Sequence, residues 1–146
     1  MTRVDFYRLA KGGDEAVLHS VCLLAGKALQ SGYRVRIYAA EPERLEDLDV
    51  RLWTFRQGSF LPHARETAAD PDFPEPILLS DRCGGEPGEG EVLVCASPPP
   101  PECVAGHVRV AEFVPPDSGP REAARRRYAA YRDAGYELHA HDLTLN

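Results

Sequence analysis

Residues 3–39 read RVDFYRLAKGGDEAVLHSVCLLAGKALQSGYRVRIYA, and this stretch decides the fold. From Arg3 to Leu9, Val4 and Phe6 alternate with polar neighbours, the period of a β-strand. Lys11-Gly12-Gly13 is a turn, and Asp14 opens a helix whose first turn is acidic. Between Asp14 and Gln30 the apolar residues fall in two adjacent rows. One is Val17, Val21, Leu24 and Ala28; the other is Leu18, Cys22, Ala25 and Leu29. An apolar face that wide suits a helix laid on a sheet. Ser31-Gly32 stops the helix, and Tyr33 to Ala39 is a second strand. Strand, helix and strand joined by short links are the βαβ unit of a parallel sheet.

The same reading extends outward. Glu43 to Trp53 predicts a shorter helix with Glu43, Glu46 and Asp47 outside and Leu45, Leu48 and Leu52 inside. Thr54 to Ala64 reads as an apolar loop. Ile77 to Leu79 and Val92 to Cys95 are short, wholly apolar runs, the look of central strands covered on both faces. The links GGEPGEG (84–90) and SPPPPE (97–102) read as irregular surface chain. Val108 to Val114 predicts another strand, and Tyr136 to Asp142 a last one, on either side of a basic helix. Together these predict one α/β domain over residues 1–146. It has three layers, α/β/α, around a mostly parallel (mixed) sheet, Rossmann-like but without a nucleotide-binding loop.

Bulk properties narrow the class. A chain of 146 residues with 43% hydrophobic and 27% charged content is an ordinary globular composition. No apolar run approaches the ~20 residues that cross a bilayer. The opening MTRVDFYRLAKGG lacks the apolar core and cleavage site of a secretory signal, which predicts a cytoplasmic protein. Cys22, Cys83, Cys95 and Cys103 are widely spaced, form no C-x-x-C pair, and are expected to be reduced. The spacing of Cys83, Cys95, Cys103 and His107 fits no structural zinc pattern. A net charge of -6 argues against a surface devoted to the DNA backbone.

Catalytic signatures are missing from the chain. The loop Gly84 to Gly90 carries two glutamates that repel phosphate and a proline that removes a donor, and no G-K-[ST] follows it. The first strand-to-helix turn, Leu9 to Asp14, lacks G-x-G-x-x-G and places an acid where pyrophosphate would sit. None of His19, His63, His107, His139 and His141 is accompanied by a nucleophile elbow. The acids Glu46-Asp47, Asp70 and Asp72 lie on polar faces or in Pro-rich chain. No catalytic residue, metal or cofactor is expected.

Two features remain. Arg121, Arg125, Arg126, Arg127 and Arg132 stand against only Glu122 and Asp133 between Gly119 and Gly135. That segment carries +3, and from a total of -6 the rest carries -9, a segregation that addresses a partner. Arg121, Arg125, Tyr128 and Arg132 fall at i, i+4, i+7 and i+11, one face of a helix. Guanidinium forks beside an aromatic ring suit an acidic ligand that also has an apolar group. Val114 and Pro115-Pro116 precede this helix, and Pro120 sits in its first turn. The second feature is Trp53, Phe55, Phe60 and Leu61 beside Pro62, aromatics that either cap the core or form a partner surface.

At this point four blocks of sequence align with a known family. DFYRL (5–9), LWTF followed by SFLPHA (52–64), EFVP (112–115) and RYAAYRDAGYEL (127–138) resemble the chi subunit of the bacterial DNA polymerase III holoenzyme, from Val4 to about Leu143. The resemblance implies an accessory subunit that is not itself a polymerase. Chi binds the acidic C-terminal tail of single-stranded DNA-binding protein, which ends in an aspartate-rich stretch and a phenylalanine. It also binds psi, which ties it to the clamp loader. By position, the resemblance implies a tail pocket of Val114, Arg125 and Tyr128, with Arg121 as a flanking basic contact and Trp53 as an apolar wall. It implies Phe60 as the residue used toward psi. Neither membrane contact nor appreciable direct DNA binding follows from it. The chain departs from the family at Ala129, where a basic residue is frequent. Arg126 and Arg127 stand about 200–300° around the helix from that position. The competing reading, a nucleotide- or nucleic-acid-processing α/β enzyme, would need a phosphate loop or an acidic metal cluster.

Overall fold

Alternation along the first strand sorts the molecule into two faces. The computed structural model describes residues 2–54, 61–68, 75–82 and 90–143. In β1 (Arg3–Leu9), Val4 and Phe6 point into one core cluster, whereas Tyr7 and Leu9 point into the other. After β1 come α1 (Asp14–Gln30), β2 (Arg34–Tyr38), α2 (Pro42–Thr54) and β3 (His63–Arg65), then a 3-10 turn (Glu66–Ala68). The chain continues through β4 (Ile77–Ser80), β5 (Glu91–Cys95), α3 (Pro101–Ala105), β6 (Arg109–Val114), α4 (Ser118–Asp133) and β7 (Glu137–Leu143). The strands form one open sheet in the order β3-β4-β2-β5-β6-β1-β7. Among the described residues every neighbouring pair is parallel, in line with the mostly parallel sheet expected from the sequence.

Two cores follow from this sorting. On one face, Val35, Ile37, Ile77, Leu79, Val92 and Val94 lie beneath Leu18, Val21 and Cys22 of α1 and Leu45, Leu48 and Leu52 of α2. On the other, Val4, Phe6, Leu93 and Val110 are covered by Cys103 and Val104 of α3 and Tyr131 of α4. The central strands are apolar on both faces because both faces are roofed, as parallel sheets require.

Two short elements depart from the sequence reading. His63–Arg65 is an edge strand inside the stretch expected to be loop, and three residues are too few to show alternation. The proline-rich link holds α3, which begins at Pro101, where a fixed φ and a missing donor cost a helix nothing. Residues 83–89, which include most of the glycine-rich loop, lie outside the described residues. The cysteines also need a correction: Cys22 and Cys95 are free and buried, but Cys103 is disulfide-bonded.

Buried charges are paired across the strands. Asp5, only 1% exposed, accepts from Arg3 at 3.0 Å, sits 2.8 Å from His141 Nε2 and lies 3.4 Å from Arg109. Glu91 lies 2.8 Å from His107 Nε2 and accepts from Arg36 Nε at 3.3 Å. Burial alone would raise both carboxyls. The bonds and charges of Arg3 and His141 on Asp5, and of His107 and Arg36 on Glu91, outweigh it and hold each below the usual carboxylate range.

Candidate peptide-binding groove

Parallel registry places two rows of side chains beneath α4. Phe6 pairs with Glu112 of β6 and Ala140 of β7; one step on, Arg8 pairs with Val114 and Asp142. Because β1 alternates, Val4, Phe6 and Arg8 share the face that α4 covers. Ala124 is buried against this face and Tyr128 lies over it, its ring centroid 5.3 Å from that of Phe6 at an interplanar angle of 55°. A groove of about 320 Å³ opens here. Phe6, Val114, Ala124, Ala140 and the Tyr128 ring give it apolar walls, and Arg8, Arg121 and Arg125 give it cationic ones.

The guanidiniums at the groove are lightly held. Arg125 bonds to Glu122 at 3.2 Å, and Arg8 to Asp142 at 2.9 Å, with all four side chains well exposed. Arg121 makes no ion pair among the described residues. Exposed pairs of this kind are worth about 1 kcal/mol or less, so an incoming carboxylate can replace the partner at small cost. The geometry therefore suits an apolar group with negative charge beside it.

Beside the groove, α4 makes a second set of contacts with the same sheet face. Arg127 Nε donates to Glu112 at 2.7 Å, and the Tyr131 hydroxyl donates to the second oxygen of the same carboxylate. Glu112 is 1% exposed. Burial and the Glu112 charge push the Tyr131 phenol well up. Arg127 is thus held by the buried Glu112 and does not line the groove. Arg132 does not line the groove; its Nε lies 3.7 Å from Asp133.

The structure brings together Val114, Arg121, Arg125 and Tyr128, but not Trp53. Trp53 is on α2, which packs against the opposite face of the sheet, and its ring meets His63 edge-on at 5.4 Å. It is 58% exposed beside the equally exposed Val50, one turn away. Adjacency in sequence to the core residue Leu52 gave no indication of which face α2 covers. Phe60 and Phe55 lie outside the described residues. Sequence reasoning also missed Phe6, Arg8, Ala124 and Ala140. The legible signal was Arg8, a cation at the third inward position of a strand whose first two are apolar.

The first strand-to-helix turn is closed to phosphate by the protein itself. Gly13 N–H donates to the Asp117 carboxylate at 3.0 Å, and Asp117 crowds Gly12 so closely that a Cβ there would sit 2.5 Å from its oxygen. A carboxylate of the chain occupies the position a nucleotide would need, which repels phosphate. Among the described residues no group of three His, Cys, Asp or Glu side chains is arranged to hold a metal ion, and no helix is long and apolar enough to cross a membrane.

A family model described as DNA polymerase III chi subunit, HolC, matches residues 1–139. The chain belongs to the DNA polymerase III chi subunit family. Proteins named DNA polymerase III subunit chi are similar to it over nearly their whole lengths. The one from Pseudomonas aeruginosa is 37% identical over 144 residues, covering 98% of each chain. The one from Escherichia coli is 28% identical over 142 residues, covering 94% of this chain and 96% of that protein. The one from Haemophilus influenzae is 27% identical over 134 residues, 92% of each. Chi-family membership makes the chain an accessory subunit in DNA replication and not a catalyst in its own right. Among solved structures, the crystal structure of T4 UvsW superposes with a TM-score of 0.64 at 9% identity. That match covers 97% of this chain but 41% of the other, and at such identity it describes the fold alone.

Proposed function

We propose that this chain tethers the polymerase assembly to single-stranded DNA-binding protein in the cytoplasm, by holding the acidic C-terminal tail of that protein in the groove beneath α4. The observation that carries the reading is the convergence of three guanidiniums on one apolar slot in a protein of net charge -6. The terminal phenylalanine enters between Phe6, Val114 and Tyr128, where burial contributes about 1.5–3 kcal/mol. Arg125 takes the terminal carboxylate, a charge-assisted bond worth about 1.5–3 kcal/mol. Arg121 flanks it and steers the aspartates in. After the cost of association and of ordering a disordered tail, affinity falls near micromolar. A weak, exchangeable tether suits a moving replication fork.

Trp53 moves, in this reading, from the tail pocket to the opposite side of the molecule. There Val50 and Trp53 form an exposed apolar step one turn apart on α2. We assign that side to psi, and through psi to the clamp loader. The tail assignment is tested by fluorescence anisotropy with a labelled peptide ending Asp-Asp-Asp-Ile-Pro-Phe. Arg125→Ala is expected to weaken binding at least tenfold with an unchanged circular dichroism spectrum. Wild-type affinity in that variant would remove Arg125 from the site.

A further inference from the structure

One cation of the groove comes from β1 and not from the basic helix, and it reads as a separate device. We propose that Arg8 of β1 is a specificity-determining residue of the tail groove. It pairs with an acidic side chain upstream of the terminal phenylalanine, and Asp142 holds its place until the tail arrives. The inference rests on the tail-binding reading above.

Three observations converge on Arg8. Strand alternation puts it in line with Val4 and Phe6, which are 0% and 3% exposed, yet at this third inward position the chain carries a cation. Such a side chain must reach the rim of the groove, since its charge would be costly to bury beside Phe6. Its register partners are Val114 on one side and Asp142 on the other, so a strand-borne cation lines the same groove as Arg121 and Arg125 of α4. Its bond to Asp142, Nε to Oδ1 at 2.9 Å, joins side chains 58% and 80% exposed, a pair too well solvated to be there for stability.

The chemistry then selects the ligand. With cations from both β1 and α4, the slot reads negative charge along an extended peptide, not at its carboxyl terminus alone. Asp142 competes with the ligand for Arg8 and so sets a threshold. A peptide with one acid gains little by displacing it, whereas an aspartate-rich one replaces it fully.

The test is a four-way titration by fluorescence anisotropy. Wild type and Arg8→Ala are each titrated with the Asp-Asp-Asp-Ile-Pro-Phe peptide and with its Asn-Asn-Asn counterpart, and Asp142→Asn is titrated with the acidic peptide. Arg8→Ala is expected to weaken the acidic peptide about two- to fivefold and to leave the asparagine peptide unchanged. Asp142→Asn is expected to tighten the acidic peptide about twofold. Equal losses for both peptides in Arg8→Ala would mean that Arg8 only shapes the groove, and would overturn the proposal. So would wild-type affinity in Arg8→Ala while Arg125→Ala fails to bind, which leaves the tail reading standing. Failure of folded wild type to bind the acidic peptide would bring down the tail reading and this inference together.

Discussion

Glu112 shows how far one residue's role can lie from its apparent type. A glutamate in the middle of β6 reads as a polar interruption, yet it is 1% exposed and joins Arg127 and Tyr131 beneath α4. Removing it strands a partly buried guanidinium and a buried hydroxyl. Glu112→Ala is therefore expected to cost about 3–5 kcal/mol in urea unfolding, and Tyr131→Phe about 1 kcal/mol. Near-neutral Glu112→Ala would mean that α4 docks without this pair. The sequence displayed the arginines but not which were committed. Arg125 and Arg127 differ by two positions and by roughly 200° around the helix, one facing the groove and the other the sheet. Arg8 was visible as an inward cation, but its neighbours were not, since it meets Val114 and Asp142, residues more than a hundred positions away.

At the scale of elements, length decided what could be read. β1, α1 and α4 have seven, 17 and 16 residues, enough for a period to repeat, and the boundaries of β1 and α1 follow from the sequence. β3 and α3 have three and five residues and show no period, so the former hid in an apolar loop and the latter among prolines. Trp53 was misplaced because α2 advertises an inner face without saying which side of the sheet it meets. The placement of α2 opposite α4 has a functional consequence. Trp53→Ala should leave tail-peptide affinity within twofold of wild type in the anisotropy titration. A tenfold loss would show that the two faces are coupled.

For the whole molecule, the α/β class and the parallel sheet were legible from one βαβ unit, but strand order was not. β1 and β2, joined by α1, are separated in the sheet by β5 and β6, and nothing local to α1 encodes that crossing. The order matters because it seats β1 between β6 and β7, the arrangement that builds the groove floor. It also concentrates buried carboxylates whose protonation governs acid stability. Asp5 and Glu91 are both held below their ordinary values of 3.8 and 4.5. Depressed carboxyls stabilise the fold fully above those values, and the contribution is lost as pH falls through the lower folded-state values. The urea midpoint should therefore hold steady down to about pH 5 and fall below pH 4.5, with a smaller fall in Glu91→Gln. A midpoint that rises on acidification would contradict this pairing. The most direct test of the tail site is an amide chemical-shift titration of the whole 15N-labelled chain with the Asp-Asp-Asp-Ile-Pro-Phe peptide. The perturbed amides should cluster at residues 6–8, 114, 121–128 and 140–142, saturating near micromolar concentration. Perturbations centred on α2, or none at peptide concentrations near a millimolar, would contradict it.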